Sequence, residues 1–275
     1  MIISFSTFFF VLLVVLLIER FFNCSKLRQW NWLVRYHGMI DRRFAGKASM
    51  VIVLIMLLPV ALVVGLLEIS LRLWLYGILG ILFDFFVLLY CLGPRSTWQD
   101  LETVKALATT EQEHDTLAFL DVESMSYRSG VWLMLIRRVM APACWFALLG
   151  AGGVFFYRMT EVCARILSKN SETAPFASRA KILLNGFDWL PVRIFGLIFA
   201  LVGHFALVMS SWKKTVFTSP LQNESVFASL GEAGIGLQGG QSISENNLFI
   251  NELSKLLERS LIVFMVILAI IVLIL

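Results

Sequence analysis

The stretch GFDWLPVR, residues 186–193, places an acid, a proline and an arginine directly before the apolar run Ile194–Val202. Charged side chains at the mouth of such a run are costly unless they pair or face protein or water. One interpretation is a helix start, with Asp188 as the N-cap, Pro191 in the first turn and Arg193 reaching the lipid headgroups. The other is a polar site at the membrane face. The residues alone leave both interpretations open.

The composition around this stretch is that of an integral membrane protein. Of the 275 residues, 59% are hydrophobic and 15% charged, and the mean hydropathy is +0.81. A soluble domain is ordinarily far less apolar, and here the charged and apolar residues are also segregated along the chain. We therefore expect an all-α fold, a polytopic transmembrane helix bundle of about four to six membrane segments with amphipathic cytoplasmic or interfacial helices.

The apolar segments indicate where the chain meets the membrane. We predict a single integral membrane domain over residues 1–275, in the bacterial cytoplasmic (inner) membrane, with several passes and the lipid bilayer as a partner. A cytoplasmic excursion is expected at 93–138 and a glycine-rich loop at 210–246. The apolar segments cover about 2–18, 48–67, 74–92, 139–157, 189–209 and 260–275.

Basic residues suggest how the segments are oriented. Residues 19–47 carry seven lysines and arginines beside two tryptophans and a tyrosine, which is typical of a helix at the headgroup level on the cytoplasmic side. Residues 158–188 are also basic, and a full crossing by 139–157 would put them outside, against the positive-inside rule. If 139–157 is re-entrant, or if 189–209 dips and returns, they stay cytoplasmic. The sequence leaves this topology open.

Two features inside the apolar segments call for a structural explanation. Asp84 lies in the middle of 74–92, where an unpaired carboxylate costs about 2.5–3.5 kcal/mol on insertion scales. We expect this carboxyl to be protonated or paired inside the bundle, in a structural or a functional role. The run of small residues 150–153 predicts close helix packing or a broken helix.

Several kinds of chemistry have no signal in the sequence. The four cysteines are scattered singly and the three histidines lie far apart, so we expect neither disulfides nor a metal site. The acidic residues of 96–130 contain no phosphate-binding loop, no dinucleotide-binding glycine pattern and no paired-carboxylate motif, and they are typical of a solvated face. No basic–aromatic stripe points to nucleic acid as a partner. We predict no cofactor.

Several segments, taken in order, carry a resemblance to a known family. They are Leu17–Phe21, Ala141–Pro142 with Gly150–Arg158, Asp188–Ile194, Val202–His204 and Asn223–Gly240. Together they resemble the AmpE family of inner-membrane proteins and, through it, the larger CobD/CbiB family of cobalamin biosynthesis. The stretch Asp188–Ile194 is similar to the AmpE form of the "Pro-Ala-Arg-Leu" signature of the cobalamin synthases.

The chain departs from the cobalamin synthases where polar groups would be needed. Those enzymes couple aminopropanol phosphate to a corrinoid carboxylate, and an amide-forming enzyme must hold phosphate, amine and activated acid together. Their N-terminal "Gly-Asp-Pro…His-Pro-Val" motif is replaced here by Glu19–Asn23, and two later polar motifs by Leu133–Arg138 and Met159–Cys163. The comparison therefore favours a protein that is not an enzyme.

What the AmpE resemblance implies is a signalling role in β-lactamase induction, linked to cell-wall recycling, with a membrane or cytoplasmic signalling partner. A small anionic ligand would be bound by Arg158 and Arg193, and Asp188 would orient Arg193. An alternative role for these charges is structural, as ion pairs that hold helix ends together. Alternative functions for the chain are a CobD/CbiB-like amide synthase or a transporter. The candidate ligand-binding residues are Glu19, Arg20, Tyr157, Arg158, Asp188, Pro191, Arg193, His204 and Glu224.

Overall fold

Helix is the regular structure throughout the described part of the chain. The computed structural model describes residues 2–21, 30–44, 50–73, 77–92, 97–109, 127–169, 173–236 and 246–274. These residues contain α-helices and short 3-10 and π turns but no strand, so the all-α prediction is confirmed. Helices satisfy their backbone hydrogen bonds internally, which is what so apolar a chain requires in lipid.

The α-helices are numbered in chain order. They are α1 (Ile2–Phe21), α2 (Asn31–Phe44), α3 (Met50–Arg72), α4 (Ile78–Cys91), α5 (Thr97–Thr109), α6 (Tyr127–Leu135), α7 (Ala141–Ile166), α8 (Ala174–Val202), α9 (Phe205–Thr215), α10 (Asn223–Gly234) and α11 (Asn246–Ile274). A π turn, Ile136–Met140, joins α6 to α7.

The predicted transmembrane character is confirmed by the length of the helices. Four described stretches are long and apolar enough to cross a membrane: Met50–Arg72, Arg128–Ile166, Ala174–Val202 and Phe249–Ile274. A helix needs about 20 apolar residues to span the hydrocarbon core. The apolar helix α4 is shorter than that.

The helix start predicted at Asp188 is wrong. Asp188 and Pro191 both lie inside α8, which begins at Ala174. A proline inside a helix leaves the carbonyl four residues earlier without its usual donor. That carbonyl belongs to Phe187, and the indole Nε1 of Trp145 donates to it at 3.3 Å. The proline is therefore tolerated because a side chain replaces the missing backbone N–H.

One predicted connection is more helical than expected. The glycine-rich loop 210–246 contains the end of α9 and the whole of α10, and its glycines beyond Gly236 lie outside the described residues. In the excursion predicted at 93–138, the helices α5 and α6 agree with the expected cytoplasmic helices, and residues 110–126 lie outside the described ranges.

The chain divides into two compact units. The first is formed by Met1–Arg95 and Pro142–Phe187, and the second by Ser96–Ala141 and Asp188–Leu275. In the first unit, α3 and α7 approach so closely that a Cβ on Gly152 would lie 3.2 Å from the Cα of Gly65. Helix α7 is also broken at Gly150, whose φ of 68° and ψ of −154° suit glycine alone. The small residues 150–153 thus give both the close packing and the break.

The first unit also contains a buried aromatic cluster and three buried thiols. The ring of Trp30 lies 4.7 Å from that of Tyr90 and 5.5 Å from that of Phe155, measured between centroids. Among the described residues of this unit, the free cysteines are Cys91, Cys144 and Cys163, and all three are buried.

The core of the second unit forms around Trp132 of α6. Its ring contacts those of Phe199, Phe227 and Phe249, with centroids 5.7, 5.7 and 6.1 Å away. Gly231 lets α10 approach the indole, because a Cβ there would lie 2.3 Å from Trp132 Cζ2. A single large side chain therefore sets the spacing of α8, α10 and α11 around α6.

Candidate functional site

An ion-pair centre in the second unit is built on Arg137, which lies in the π turn. Its Nε donates to Oδ2 of Asp188 at 2.9 Å, and its Nη2 donates to Oε1 of Glu224 at 3.2 Å. The Asp188 side chain is 2% exposed, so this pairing takes place away from solvent, where an unpaired charge would be costly. One guanidinium thus joins α8 to the start of α10. Single π turns of this kind are frequent at functional sites.

Arg193 is held by neutral acceptors. Its Nη1 donates to Oδ1 of Asn223, its Nη2 to the carbonyl and hydroxyl oxygens of Thr218 at 3.2 and 3.0 Å, and its Nε to the carbonyl of Val216 at 3.3 Å. The guanidinium also lies 4.9 Å from the ring centroid of Trp189, a cation–π contact. Arg193 is buried, so the interpretation in which it reaches the lipid headgroups is wrong. These contacts favour a role in anchoring the connection between α9 and α10.

A polar cleft of about 240 Å³ lies beside the break between α8 and α9. Its charged and titratable lining comes from His204, Glu252, Lys255 and Arg259, of which Lys255 and Glu252 form an exposed ion pair at 2.7 Å. The imidazole packs so closely on Gly236 that a Cβ there would lie 2.6 Å from His204 Nε2. The predicted residue His204 therefore faces a cleft in which positive side chains outnumber negative ones.

Glu232 of α10 is a partly buried carboxyl group in the second unit. Burial raises the pKa of this carboxyl above its ordinary value of 4.5, and the nearby charge of Arg128 opposes the rise. Arg128 also lies over the ring of Phe249, 5.3 Å from its centroid. Glu232 is thus placed to make the stability of this unit depend on pH.

In the first unit, Arg158 is fully buried and incompletely paired. Its side chain has 0% exposure, and its Nη1 lies 3.1 Å from Oε2 of Glu161. The other oxygen of Glu161 pairs with Arg165 at 3.1 Å. Within the described residues, neither Nε nor the two Nη atoms of Arg158 form a hydrogen bond. Buried donors left unpaired cost about 1–3 kcal/mol each, so this guanidinium is well suited to an anionic oxygen.

The other predicted residues of the first unit differ in accessibility. Glu19 and Tyr157 are buried, whereas Arg20 is exposed at the end of α1. Arg20 is therefore open to the surroundings of the protein, while Glu19 and Tyr157 belong to the interior.

The predicted pairing of Asp84 is confirmed, and its partner is Arg72. Arg72 Nη2 lies 2.5 Å from Asp84 Oδ2 and 3.2 Å from Glu68 Oε1, and its Nη1 donates to Thr7 Oγ1 at 3.3 Å. Asp84 has 0% exposure. Two carboxylates therefore share one guanidinium nitrogen in the first unit. Glu68 and Arg72 lie in the last turns of α3, beyond the predicted apolar segment 48–67.

Glu68 also stabilises the break in α7. Its Oε2 accepts the backbone N–H of Ala151 at 2.9 Å, at the point where the helix resumes after Gly150. A carboxylate at a helix N-terminus satisfies an otherwise unpaired donor and interacts favourably with the helix dipole. A Cβ on Gly150 would lie 2.8 and 2.9 Å from the two oxygens of Glu68, so the carboxylate occupies the space that a side chain would need.

The structure brings together only part of the predicted site. Asp188 and Glu224 meet on Arg137, which is not among the predicted site residues. Asp188 accepts a hydrogen bond from Arg137, whereas the expected partner is Arg193. Glu19, Arg20, Tyr157 and Arg158 belong to the first unit, and Asp188, Pro191, Arg193, His204 and Glu224 to the second. A single ligand pocket formed by all nine residues stays a prediction.

No local pattern marks Arg137, because its two partners lie 51 and 87 residues away along the chain. Its neighbour Arg138 pairs with Asp100 of α5 in the same way, across 38 residues. The sequence feature that could have pointed to Arg137 is the pair of arginines directly before an apolar segment, because acidic residues elsewhere in the chain required partners.

Comparison with known proteins agrees with this architecture. Residues 7–274 match the family model described as "Regulatory signalling modulator protein AmpE". The cobalamin biosynthesis protein CobD of Chromobacterium violaceum is 30% identical over 105 residues, which cover 37% of this chain and 34% of that protein. The chain thus spans about a third of the length of this curated relative. No solved structure matches the chain.

Proposed function

We propose a regulatory signalling role at the membrane for this chain, because it belongs to the AmpE family of regulatory signalling modulator proteins. Its four long apolar helices support a place in the lipid bilayer. In more detail, we propose that it lies in the bacterial inner membrane with several passes, acts in β-lactamase induction linked to cell-wall recycling, and passes its signal to a membrane or cytoplasmic partner.

The signal in this proposal is a small anionic ligand bound at Arg158. The observation that carries it is the fully buried guanidinium with three nitrogens that form no hydrogen bond within the described residues. A planar guanidinium donates two parallel hydrogen bonds to a carboxylate or phosphate. Glu161, the carboxylate beside it, is shared with Arg165 and leaves these donors available.

The role of the remaining predicted residues in this proposal is structural support. Asp188 and Glu224 hold α8 and α10 together through Arg137. Arg193 holds the connection before α10 through Asn223 and Thr218. The second unit is therefore kept rigid by buried charges, while Arg158 takes the ligand.

The role is tested by complementing a deletion strain and measuring β-lactamase activity after a cell-wall inhibitor. We expect the deletion to change induction, and wild type and Arg165→Gln to restore it. Arg158→Gln should fail at an equal membrane level. Arg165 is the matched control because it pairs with the same carboxylate but is 33% exposed.

The two parts of the proposal can fail separately. Identical induction in the deletion strain and the wild type would contradict the regulatory role. Restoration by Arg158→Gln as complete as by Arg165→Gln would contradict the ligand site and leave the regulatory role standing. With purified protein, inorganic phosphate should raise the Tm of wild type and Arg165→Gln but not of Arg158→Gln, because a ligand that binds only the folded state stabilises it.

An amide synthase is the second candidate, favoured by the local similarity to CobD. Its expected phenotype is a requirement for corrinoid in the deletion strain, with normal β-lactamase induction. Growth of that strain without added corrinoid, under conditions in which the wild type makes its own, would contradict this candidate.

A further inference from the structure

We propose that Glu68, Arg72 and Asp84 form a site that binds one exchangeable proton in the first unit, and that the proton resides on Asp84. This site is separate from the anion site at Arg158, and the inference does not depend on the proposed function. It rests on the geometry of the three side chains and on the break in α7.

The three side chains are electrically neutral together only when they hold one proton. Both carboxylates contact the same nitrogen, Nη2 of Arg72, and the three groups carry a net charge of −1 when all are ionised. Asp84 is 0% and Glu68 7% exposed, and an uncompensated charge among apolar helices is strongly unfavourable. One bound proton makes the cluster neutral.

The four carboxylate oxygens of the cluster differ in how many donors they already contact. Both oxygens of Glu68 are engaged, Oε1 by Arg72 and Oε2 by the backbone N–H of Ala151, and a donor at each oxygen favours the carboxylate. Oδ1 of Asp84 is buried and forms no hydrogen bond within the described residues. This oxygen is therefore the one that accepts the proton, while Oδ2 keeps its contact with Arg72.

Helices α1 and α7 contribute neutral groups to the cluster. Helix α1 contributes the Thr7 hydroxyl and the Phe8 ring, whose centroid lies 4.7 Å from the Arg72 guanidinium. Helix α7 contributes backbone N–H groups at its break. The charged groups that act on Asp84 are Glu68 and Arg72, so the charge balance involves these three side chains.

The proton is coupled to the break at Gly150. When Asp84 is protonated, its Oδ2 contacts Arg72 only as a neutral acceptor, so the charge of Arg72 is balanced by Glu68, which caps the resumed helix through Ala151. When the proton leaves, Asp84 competes with Glu68 for the same nitrogen and weakens that cap. Proton binding at Asp84 is thereby transmitted to the helix break through a single guanidinium.

The test counts protonated carboxyl groups in the purified full-length protein, from the C=O stretching band of carboxylic acids in infrared spectra near neutral pH. Relative to wild type, Asp84→Asn and Glu68→Gln should each lose the band of one acid, because one carboxylate then balances Arg72. Arg72→Gln should gain the band of one acid, because both carboxylates must then be neutral. Asp100→Asn, at an acid that has its own arginine, should leave the band unchanged.

Two outcomes would overturn the proposal. One is an unchanged band area in both Asp84→Asn and Glu68→Gln. The other is no gain of band area in Arg72→Gln. The variants are compared only when they elute as single species on gel filtration. Each of the three substitutions is an independent test, so the remaining variants still decide the outcome if one of them misfolds.

Discussion

At the scale of single residues, arginines that pair with buried carboxylates determine which parts of the chain meet. Arg137 pairs with Asp188 and Glu224, and removing it leaves two carboxylates without this partner. Breaking a buried pair from one side costs about 3–5 kcal/mol. We therefore expect Arg137→Met to lower the free energy of unfolding by about that amount, measured by denaturant unfolding in detergent.

Lys255→Met provides the contrast for that prediction. Lys255 and Glu252 are both more than half exposed, and exposed pairs contribute about 0–1 kcal/mol. Equal losses for Arg137→Met and Lys255→Met would mean that the Arg137 centre does not stabilise the fold.

Glu232 gives a pH-dependent prediction. Burial raises its pKa above the ordinary 4.5, so the folded state holds this proton to higher pH than the unfolded chain does. At a pH below the pKa of Glu232 in the unfolded chain, the carboxyl is protonated in both states and does not affect stability. As the pH rises from that pKa to the higher pKa of the folded state, the folded state becomes less stable relative to the unfolded chain. We expect the Tm of Glu232→Gln to rise relative to wild type as the pH increases above the ordinary value of 4.5. A Tm difference that does not change with pH would contradict the assignment.

Residue by residue, the sequence identifies which charges need partners better than it identifies the partners. The position of Asp84 in an apolar segment predicted its pairing, and Arg72 lies only 12 residues away. Arg137 could not be matched with Asp188 or Glu224 in the same way, because nothing local shows which segments of a helical protein become neighbours.

At the scale of helices, the break in α7 depends on glycine at position 150. Its φ of 68° is disfavoured for other residues, and its Cβ would meet both oxygens of Glu68. We expect Gly150→Ala to destabilise the protein by about 1–3 kcal/mol, seen as a lower Tm.

Gly186→Ala is the matched control within the same unit. Gly186 lies inside α8, with nothing within 4 Å of an added Cβ. Alanine in a helix interior is favoured over glycine by about 0.5–1 kcal/mol, so this variant should be slightly more stable than wild type. A Gly150→Ala protein that behaves like Gly186→Ala would show that the break is not required.

Helix boundaries are where sequence patterns are least informative in this chain. Asp188, Trp189 and Pro191 together resemble a helix start, yet α8 runs through them. The pattern could not show that the indole of Trp145 would satisfy the carbonyl of Phe187. The continuity of α8 through Pro191 therefore depends on the contact between Trp145 and Phe187, which lie 42 positions apart.

At the scale of the whole molecule, the orientation of α8 decides the topology. Its 29 residues are more than the 20 or so needed for one crossing. We expect exposed cysteines introduced at Ser168 and Ser210, before and after this helix, to react with a membrane-impermeant maleimide from opposite sides of the membrane. The measurement is labelling of intact cells and of inverted membrane vesicles.

Ser225→Cys is the reference for the second side. Ser225, like Ser210, lies between the apolar stretches Ala174–Val202 and Phe249–Ile274 and should be labelled from the same side as Ser210. Labelling of Ser168→Cys from that side as well would contradict a full crossing and favour a segment that dips and returns.

The class of the protein was predictable because it depends on sums over many residues. An excess of apolar residues in long runs requires helices in lipid, whatever their arrangement. The orientation of the segments was not predictable, because the basic residues near α7 and α8 conflict with a simple alternation of sides. Part of that conflict comes from Arg158, which is buried against Glu161 and so does not belong to an exposed basic loop.

The buried thiols of the first unit provide a practical readout. Cys91, Cys144 and Cys163 are at most 1% exposed, so a thiol-reactive dye reaches them only when the surrounding helices open. In a variant with Cys24 replaced by serine, the increase of dye fluorescence during heating therefore reports the opening of this unit. Because these three thiols are shielded, a cysteine introduced at the surface is the one fast-reacting thiol among the described residues. The native cysteines of the core can therefore be kept in labelling experiments.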